Sequence, residues 1–381
     1  MARKIIVSTV GTSLLTNESS GDFRKDIISK SNLSKQEGQL DDTLPGILEY
    51  VIKPKLKEKF STNDLPTYQR MSAELNGIIG IYKGHLDNQP DDLHVLIATD
   101  TYQGFETASI LEDLLKSKGF ATMVYTPKNL STKNKKAFLE GMKDLLRWFE
   151  DENGLNIKSY KSNGYEVIFN LTGGFKSLQG YLNVIGMFYA DSVNYIFEGN
   201  NEMIEIPKLP IRIEQETFFD NATNFALMSQ DLPIPKQSLL GISETLLEEI
   251  DSDMYLLSAW GELSWNNTKR KVFSKNLIQF PYIAYQDSFK NDFQTTDRED
   301  DKTKLQETIT KISKILQENN GDISKLKGGQ SGGILYDNYT GKKSHIGHFR
   351  ISDSIRVSCI YENQTLKLRH YGSHDYVNDN P

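Results

Sequence analysis

The sequence predicts two unlike folds in one chain. Residues 1–213 read as an α/β Rossmann-like parallel sheet, 275–381 as a small α+β domain with an antiparallel sheet, and 214–274 as a helical connector. Three observations lead there. Fully apolar strand candidates alternate with helical stretches up to about residue 213, which implies a parallel sheet covered on both faces. Glycine-bearing loops close the strands. Past residue 275 the alternation gives way to one amphipathic helix and a run of short strands.

The first strand is Lys4–Val10, closed by Gly11-Thr12-Ser13. Helical stretches near 43–60 and 67–84 precede the strand Leu93–Thr99, which ends in Thr99-Asp100-Thr101-Tyr102-Gln103-Gly104. A helix near 104–117, a strand at Phe120–Tyr125 and a helix near 134–150 follow. The strand Tyr165–Leu171 then runs through Asn170-Leu171-Thr172-Gly173-Gly174-Phe175-Lys176-Ser177 into a helix near 175–190, with a last strand at Val193–Phe197. A strand that ends in Thr-Gly-Gly and feeds a helix brings bare backbone N–H groups and a helix N-terminus together, a setting that suits phosphate. Lys176 adds a point charge beside it. Ligands of such sheets sit beyond the carboxyl ends of the strands, so all three loops should line one rim. Two turns of this kind suggest a ligand with more than one phosphate. Either turn alone reads equally well as a simple strand-to-helix connection.

Pro207-Lys208-Leu209-Pro210 breaks the pattern, and helical stretches at Glu216–Ser229 and Ile242–Ser264, with Pro233 and Pro235 between them, make up the connector. Leu277–Tyr285 reads as a strand, and the acidic run Asp292–Asp301 as a solvated helix start. Lys304–Gln317 places Leu305, Ile309, Ile312 and Leu316 at helical spacing. Short strands are expected at Gly333–Tyr336, Ile346–Ile351, Ile355–Tyr361 and Thr365–His370.

At 381 residues, with 38% hydrophobic and 25% charged residues, the chain reads as a soluble globular protein of two domains or three. No apolar run approaches the ~18–20 residues that span a bilayer. Met1-Ala2-Arg3-Lys4 leads straight into a strand, so neither signal peptide nor membrane anchor is expected. Cys359 is the single cysteine, which excludes an internal disulfide and a cysteine-based zinc site and fits a reducing cytoplasm. A net charge of −7 argues against a protein coated in nucleic acid. Between Lys325 and Gly372, however, eight Lys or Arg face three acids, and four of the six histidines fall in the last tenth of the chain.

That local positive charge has a chemistry. Arg350, Arg356 and Lys367/Arg369 fall on successive expected strands together with His345, His348 and His374. Metal-free RNA cleavage needs a base for the 2′-hydroxyl proton, cations for the crowded phosphate and an acid for the leaving 5′-oxygen. Histidine serves as acid or base near neutrality, arginine holds phosphate bidentately, and Tyr371 or Tyr376 could stack a base. The plainer reading is that alternate polar residues on a half-exposed sheet simply face water. Arg369-His370-Tyr371-Gly372-Ser373-His374 also matches the Arg-x4-His spacing of HEPN ribonucleases. That motif works on helices of an all-α dimer, whereas here it should span a strand end and a glycine turn.

On Val7-Ser8-Thr9-Val10-Gly11-Thr12-Ser13 and Asn170 to Ser177, in that order, the first two hundred residues resemble a CARF domain (CRISPR-associated Rossmann fold). The resemblance implies a homodimer that binds a cyclic oligoadenylate, cyclic tetra-adenylate by preference, across its twofold axis. Gly11, Thr12, Ser13, Thr172, Gly173, Gly174 and Lys176 would hold the ligand, with Thr101, Tyr102 and Gln103 in another contacting loop. Asp100 sits awkwardly beside a polyanion and is given no phosphate contact.

The last hundred residues resemble a RelE-type toxin. The pattern runs through Ser288-Phe289-Lys290-Asn291-Asp292-Phe293, Lys325-Leu326-Lys327-Gly328 and Phe349-Arg350-Ile351. It ends with Ile355 to Tyr361 and Tyr371-Gly372-Ser373-His374-Asp375-Tyr376. The resemblance implies a ribosome-dependent messenger-RNA endonuclease with no catalytic cofactor or metal. Lys327, His348, Arg350, Arg356, Arg369, His374 and Tyr376 would be its site residues. His374 stands where many relatives carry arginine, which leaves open whether histidine or arginine is the acid/base. Together the two resemblances imply a cytoplasmic ribonuclease of type III CRISPR defence, with ribosome and messenger RNA as partners and neither membrane nor DNA. The alternatives are a ligand-sensing regulator whose C-terminal domain binds nucleic acid without cutting, or a ribosome-independent HEPN-like ribonuclease.

Overall fold

A computed structural model describes residues 3–86, 91–196, 202–327 and 334–381, without the Lys342 side chain. The chain divides into two compact units, Met1–Arg212 and Ile213–Pro381.

In the first unit the apolar strands form β1 (Lys4–Thr9), β2 (Leu93–Ile97), β3 (Ala121–Tyr125), β4 (Glu166–Asn170) and β5 (Ser192–Ile196). They pair in parallel, and β6 (Met203–Pro207) adds an antiparallel edge, giving the order β3-β2-β1-β4-β5-β6. This is the doubly wound order, with its switch point between β1 and β4. Helices Ala73–Ile81 and Tyr102–Ser117 contribute to the core on one face. On the other, Phe149 of helix Lys135–Glu150 lies 5.9 Å from Phe169 of β4 and 5.5 Å from Tyr189 of helix Lys176–Tyr189.

Several expectations need correction here. The helix near 67–84 is two helices, Leu65–Met71 and Ala73–Ile81, because Ser72 is extended and its hydroxyl caps the second by accepting from Leu75 N–H. The stretch at 43–60 contains a π-helical turn, Leu48–Ile52, between two α-helical segments. Strand β6 was not foreseen, since its five residues are half-exposed and carry no continuous apolar signal. Phe197, the expected end of β5, lies outside the described residues.

In the second unit the span 214–274 is not a purely helical connector. Helices Glu216–Asp220 and Ala222–Met228 are followed by a three-stranded sheet of β7 (Ile234–Pro235), β8 (Leu247–Asp251) and β9 (Met254–Leu257). Asp253, with φ 65°, reverses the chain between β8 and β9, which is why the expected helix 242–264 does not form. Helix Ala259–Lys275 starts only at Ser258, whose hydroxyl accepts from Gly261 N–H. Phe218, Phe225, Trp265 and Phe273 share one core with Phe289, Leu305, Ile312, Val357 and Leu368.

The remaining strands are β10 (Ile283–Tyr285), β11 (Asp337–Asn338), β12 (Ile346–Arg350), β13 (Ile355–Glu362) and β14 (Thr365–Ser373), in the order β10-β14-β13-β12-β11. All pairs are antiparallel except β10 with β14. The strand expected at Leu277–Tyr285 shrinks to its last three residues; Pro281 and the positive φ of Tyr282 interrupt it. Gly333 lies outside the described residues, and Ile334–Tyr336 precedes β11 rather than forming a strand. Helix Glu299–Glu318 begins with Glu299, Asp300 and Asp301, acids placed to favour a helix N-terminus. No helix among the described residues is long and apolar enough to cross a membrane.

Candidate functional site

At the carboxyl ends of β1 and β4 the two glycine loops touch. A Cβ on Gly11 would lie 3.0 Å from Gly174 N, and Gly174 has φ +94°, where L side chains are strained. The Thr9 hydroxyl donates to Gly173 O, which Gln179 also reaches at 3.0 Å. Helix 176–189 starts without a side-chain cap, and Lys176 at its head is exposed. Open N–H groups and a free ammonium therefore coincide there, as an anion site requires.

The first loop is not open in the same way. Glu74, fully buried, accepts from Gly11 N–H at 2.7 Å, from the Ser13 hydroxyl at 3.0 Å and from the Ser72 hydroxyl at 2.6 Å. A carboxylate already occupies the donors expected to hold phosphate. The sequence offered only an ordinary signal for Glu74, an acid in the first turn of a helix. Thr12 is half-buried, and the buried Thr172 hydroxyl has no partner.

The third loop departs further. Thr101 caps helix 102–117 by accepting from Gly104 N–H at 3.1 Å and meets the Thr99 hydroxyl at 2.9 Å. Tyr102 and Gln103 are buried, Gln103 donating to Ile27 O at 2.7 Å and Tyr102 N–H to Leu33 O at 2.9 Å. The unforeseen short helices at 21–29 and 35–39 cover this loop, so the side chains of 101–103 face the interior and not a rim.

In the second unit one sheet face gathers the basic residues. Partners directly opposite share a face, so register sorts them. His348 pairs with Ser358, which pairs with His370; Arg350 pairs with Arg356, which pairs with Gly372. Helix His374–Asp379, which the sequence did not announce, rests on this face with Val377 fully buried and Tyr376 against Gly372.

Two polar clusters result. In one, Asn378 stands 3.3 Å from the His374 ring nitrogens, accepts from Arg356 Nη1 at 3.3 Å and accepts from the Tyr339 hydroxyl at 3.0 Å. Tyr339 meets the His348 ring edge-on at 4.7 Å. His348 is half-buried, its Nδ1 has no partner, and Arg350, Arg356 and His374 lie near it. Burial first, and then Arg356, hold its pKa below the usual histidine value, so it is neutral near neutrality and suited to take a proton. In the other cluster, Asp292 of helix Asp287–Thr295 contacts His370 Nδ1 at 3.1 Å and accepts from the Tyr376 hydroxyl at 3.0 Å and Tyr371 N–H at 3.0 Å. Burial, and then Asp292, push the Tyr376 phenol up.

Sequence reasoning placed His348, Arg350, Arg356, His374 and Tyr376 on or over this face, but it missed Asn378, Tyr339 and Asp292. Asp292 opens the acidic run expected to be a solvated helix start, yet its side chain is only 11% exposed and is engaged by His370, Tyr371 and Tyr376. Arg369 is left at the register shift between β13 and β14, half-buried, its carbonyl taking the Ser288 hydroxyl. Lys327 is exposed, 5.9 Å from the Tyr336 ring; that ring packs at Gly347, one residue out of phase with His348 and so on the opposite face. Gly328 of the same motif lies outside the described residues. Arg369 and His374 sit on a strand and at the start of a six-residue helix, so the Arg-x4-His spacing lacks the helical setting a HEPN motif needs.

No curated protein matches the chain. YafQ from E. coli strain BL21(DE3), a solved structure, matches at 10% identity over 26% of this chain and 98% of its own, with a TM-score of 0.18, too low to bear on fold or function. Residues 69–209, which include the Thr172-Gly173-Gly174 loop but not the Gly11 loop, are similar to the family described as CRISPR-associated protein (Cas_APE2256).

Proposed function

We propose that the chain is a CRISPR-linked ribonuclease switched by a cyclic oligoadenylate, with a CARF sensor in the first unit and a RelE-type nuclease in the second. The observation that carries the nuclease reading is Arg350 paired directly across from Arg356, with His348 on the same face. Like charges opposed across strands destabilise a sheet, and a bound phosphate would relieve the repulsion. In this reading His348 takes the 2′-hydroxyl proton, Arg350 and Arg356 hold the phosphate, and His374 makes a third contact to it. The doubly wound sheet, the touching glycine loops beside Lys176 and the similarity of 69–209 to a CRISPR-associated family support the sensor. The proposed protein is a cytoplasmic homodimer, cleaves messenger RNA on the ribosome, and needs no metal or catalytic cofactor. Cyclic tetra-adenylate is the proposed activator.

Arg356→Ala and His348→Ala test the site. An enzyme loses at least ~100-fold in turnover, the scale of one general base or one charge-stabilising group, while RNA binding falls far less. Parallel, gradual losses of binding with no cleavage by the wild type would favour a regulator that binds nucleic acid without cutting.

A further inference from the structure

Asp292 has no place in the phosphate-holding cluster, yet it is held on all sides. Its Oδ2 receives Tyr371 N–H at 3.0 Å and His370 Nδ1 at 3.1 Å, and its Oδ1 receives the Tyr376 hydroxyl at 3.0 Å. A carboxylate can only accept from the ring, so the proton resides on Nδ1. His370 Nε2 has no hydrogen-bond partner among the described residues, and the side chain is 22% exposed. The titratable groups in contact with this imidazole are Asp292 from helix 287–295 and Tyr376 from helix 374–379; its cross-strand neighbour is Ser358. His370 and His348 flank Ser358 on one face, their backbones about 10 Å apart at two strand spacings.

We propose that His370 is a further catalytic residue, the general acid for the leaving 5′-oxygen, and that Asp292 is the positioning residue that fixes its ring and its tautomer. This rests on the ribonuclease reading above and assigns the half of the proton transfer that reading leaves unfilled. The 2′-oxygen attacks phosphorus and passes its proton to His348. The P–O2′ bond forms and the P–O5′ bond breaks, and the proton on His370 Nε2 moves to the departing 5′-oxygen. The products are a 2′,3′-cyclic phosphate and a 5′-hydroxyl, and water returns the proton from His348 to His370. Opposite surroundings suit the two histidines to opposite tasks: cationic neighbours and burial around His348, a carboxylate against His370.

The test uses the full chain with cyclic tetra-adenylate and short RNAs, naked and ribosome-bound, in two forms: ordinary RNA and RNA with sulfur in place of the scissile 5′-oxygen. A thiolate leaves without a proton, so it removes the need for an acid. His370→Gln is expected to lose ~100-fold or more on ordinary RNA and less than ~5-fold on the sulfur substrate, whereas His348→Ala loses activity on both. Asp292→Asn is expected to lose ~10-fold or more on ordinary RNA and less than ~5-fold on the sulfur substrate, because the orientation and tautomer of the His370 ring matter only where the leaving oxygen needs a proton. Equal losses by His370→Gln on the two substrates, or no loss on either, would overturn the assignment while leaving the ribonuclease reading intact. No cleavage of either substrate by the wild type would overturn both.

Discussion

Glu74 places a buried negative charge between two loops whose backbone is otherwise shaped for an anion. Its bonds to Gly11 and Ser13 hold the Gly11 loop, so it stiffens the site, and the same charge opposes any phosphate drawn toward Gly173 and Lys176. Glu74→Gln keeps an oxygen for Gly11 N–H and removes the charge. If the ligand is a cyclic oligoadenylate, Kd for cyclic tetra-adenylate should fall about 5–10-fold, on the order of 1 kcal/mol of relieved repulsion at an effective dielectric near a protein surface. Calorimetric titration measures it, and weaker binding by the variant would show that Glu74 serves the ligand by shaping the loop. The glycines and Lys176 were legible because turns and helix starts are written locally. Glu74 was not, because it lies 63 residues from Gly11. Asp292 likewise meets Tyr371 from 79 residues away, in a helix whose only strong local signal is the buried pair Phe289 and Phe293.

At the level of elements, strands β1, β2 and β4 were readable because each carries an apolar run that is buried nearly throughout. Strand β6, the β8–β9 hairpin and helix 374–379 were not, because each gets its order from a neighbour. Partners decide chemistry as well. His94 on β2 is fully buried against Phe120 at 4.8 Å, with Nε2 3.1 Å from the Tyr82 hydroxyl, which donates to Asp92 at 3.0 Å. Tyr82 therefore accepts from Nε2–H, and Nδ1 is left buried with no partner to receive a proton. Burial pushes its pKa down from 6.5 to about 3. A folded pKa below the unfolded one costs nothing above pH 6.5; below it the unfolded chain binds the proton and the folded chain does not, so stability falls with pH. The loss from this group is roughly 1.4 kcal/mol per pH unit until about pH 3. Denaturant unfolding at pH 6.5 and 5.0 should show wild type losing about 2 kcal/mol more than His94→Gln, which retains a donor toward Tyr82. Parallel curves would contradict this.

For the molecule as a whole, the division into two units was visible in the change of pattern, but the ownership of 214–274 was not. Proline-punctuated, half-apolar segments look like linkers until Phe218, Phe225 and Trp265 are seen in one core with Leu305 and Val357. A fragment 213–381 should therefore melt cooperatively, whereas 275–381 should lack much of its core and stay unfolded by circular dichroism. A sharp melt of the shorter fragment would place the core elsewhere. The central claim joins a sensor to a nuclease, and a ligand can switch the second only through a difference in its affinity for two states. The most direct measurement is RNA cleavage by the purified full chain, with and without cyclic tetra-adenylate and with and without translating ribosomes. Cleavage only when both are present is the predicted result; cleavage of naked RNA that ignores the cyclic nucleotide, or none under any condition, would contradict it.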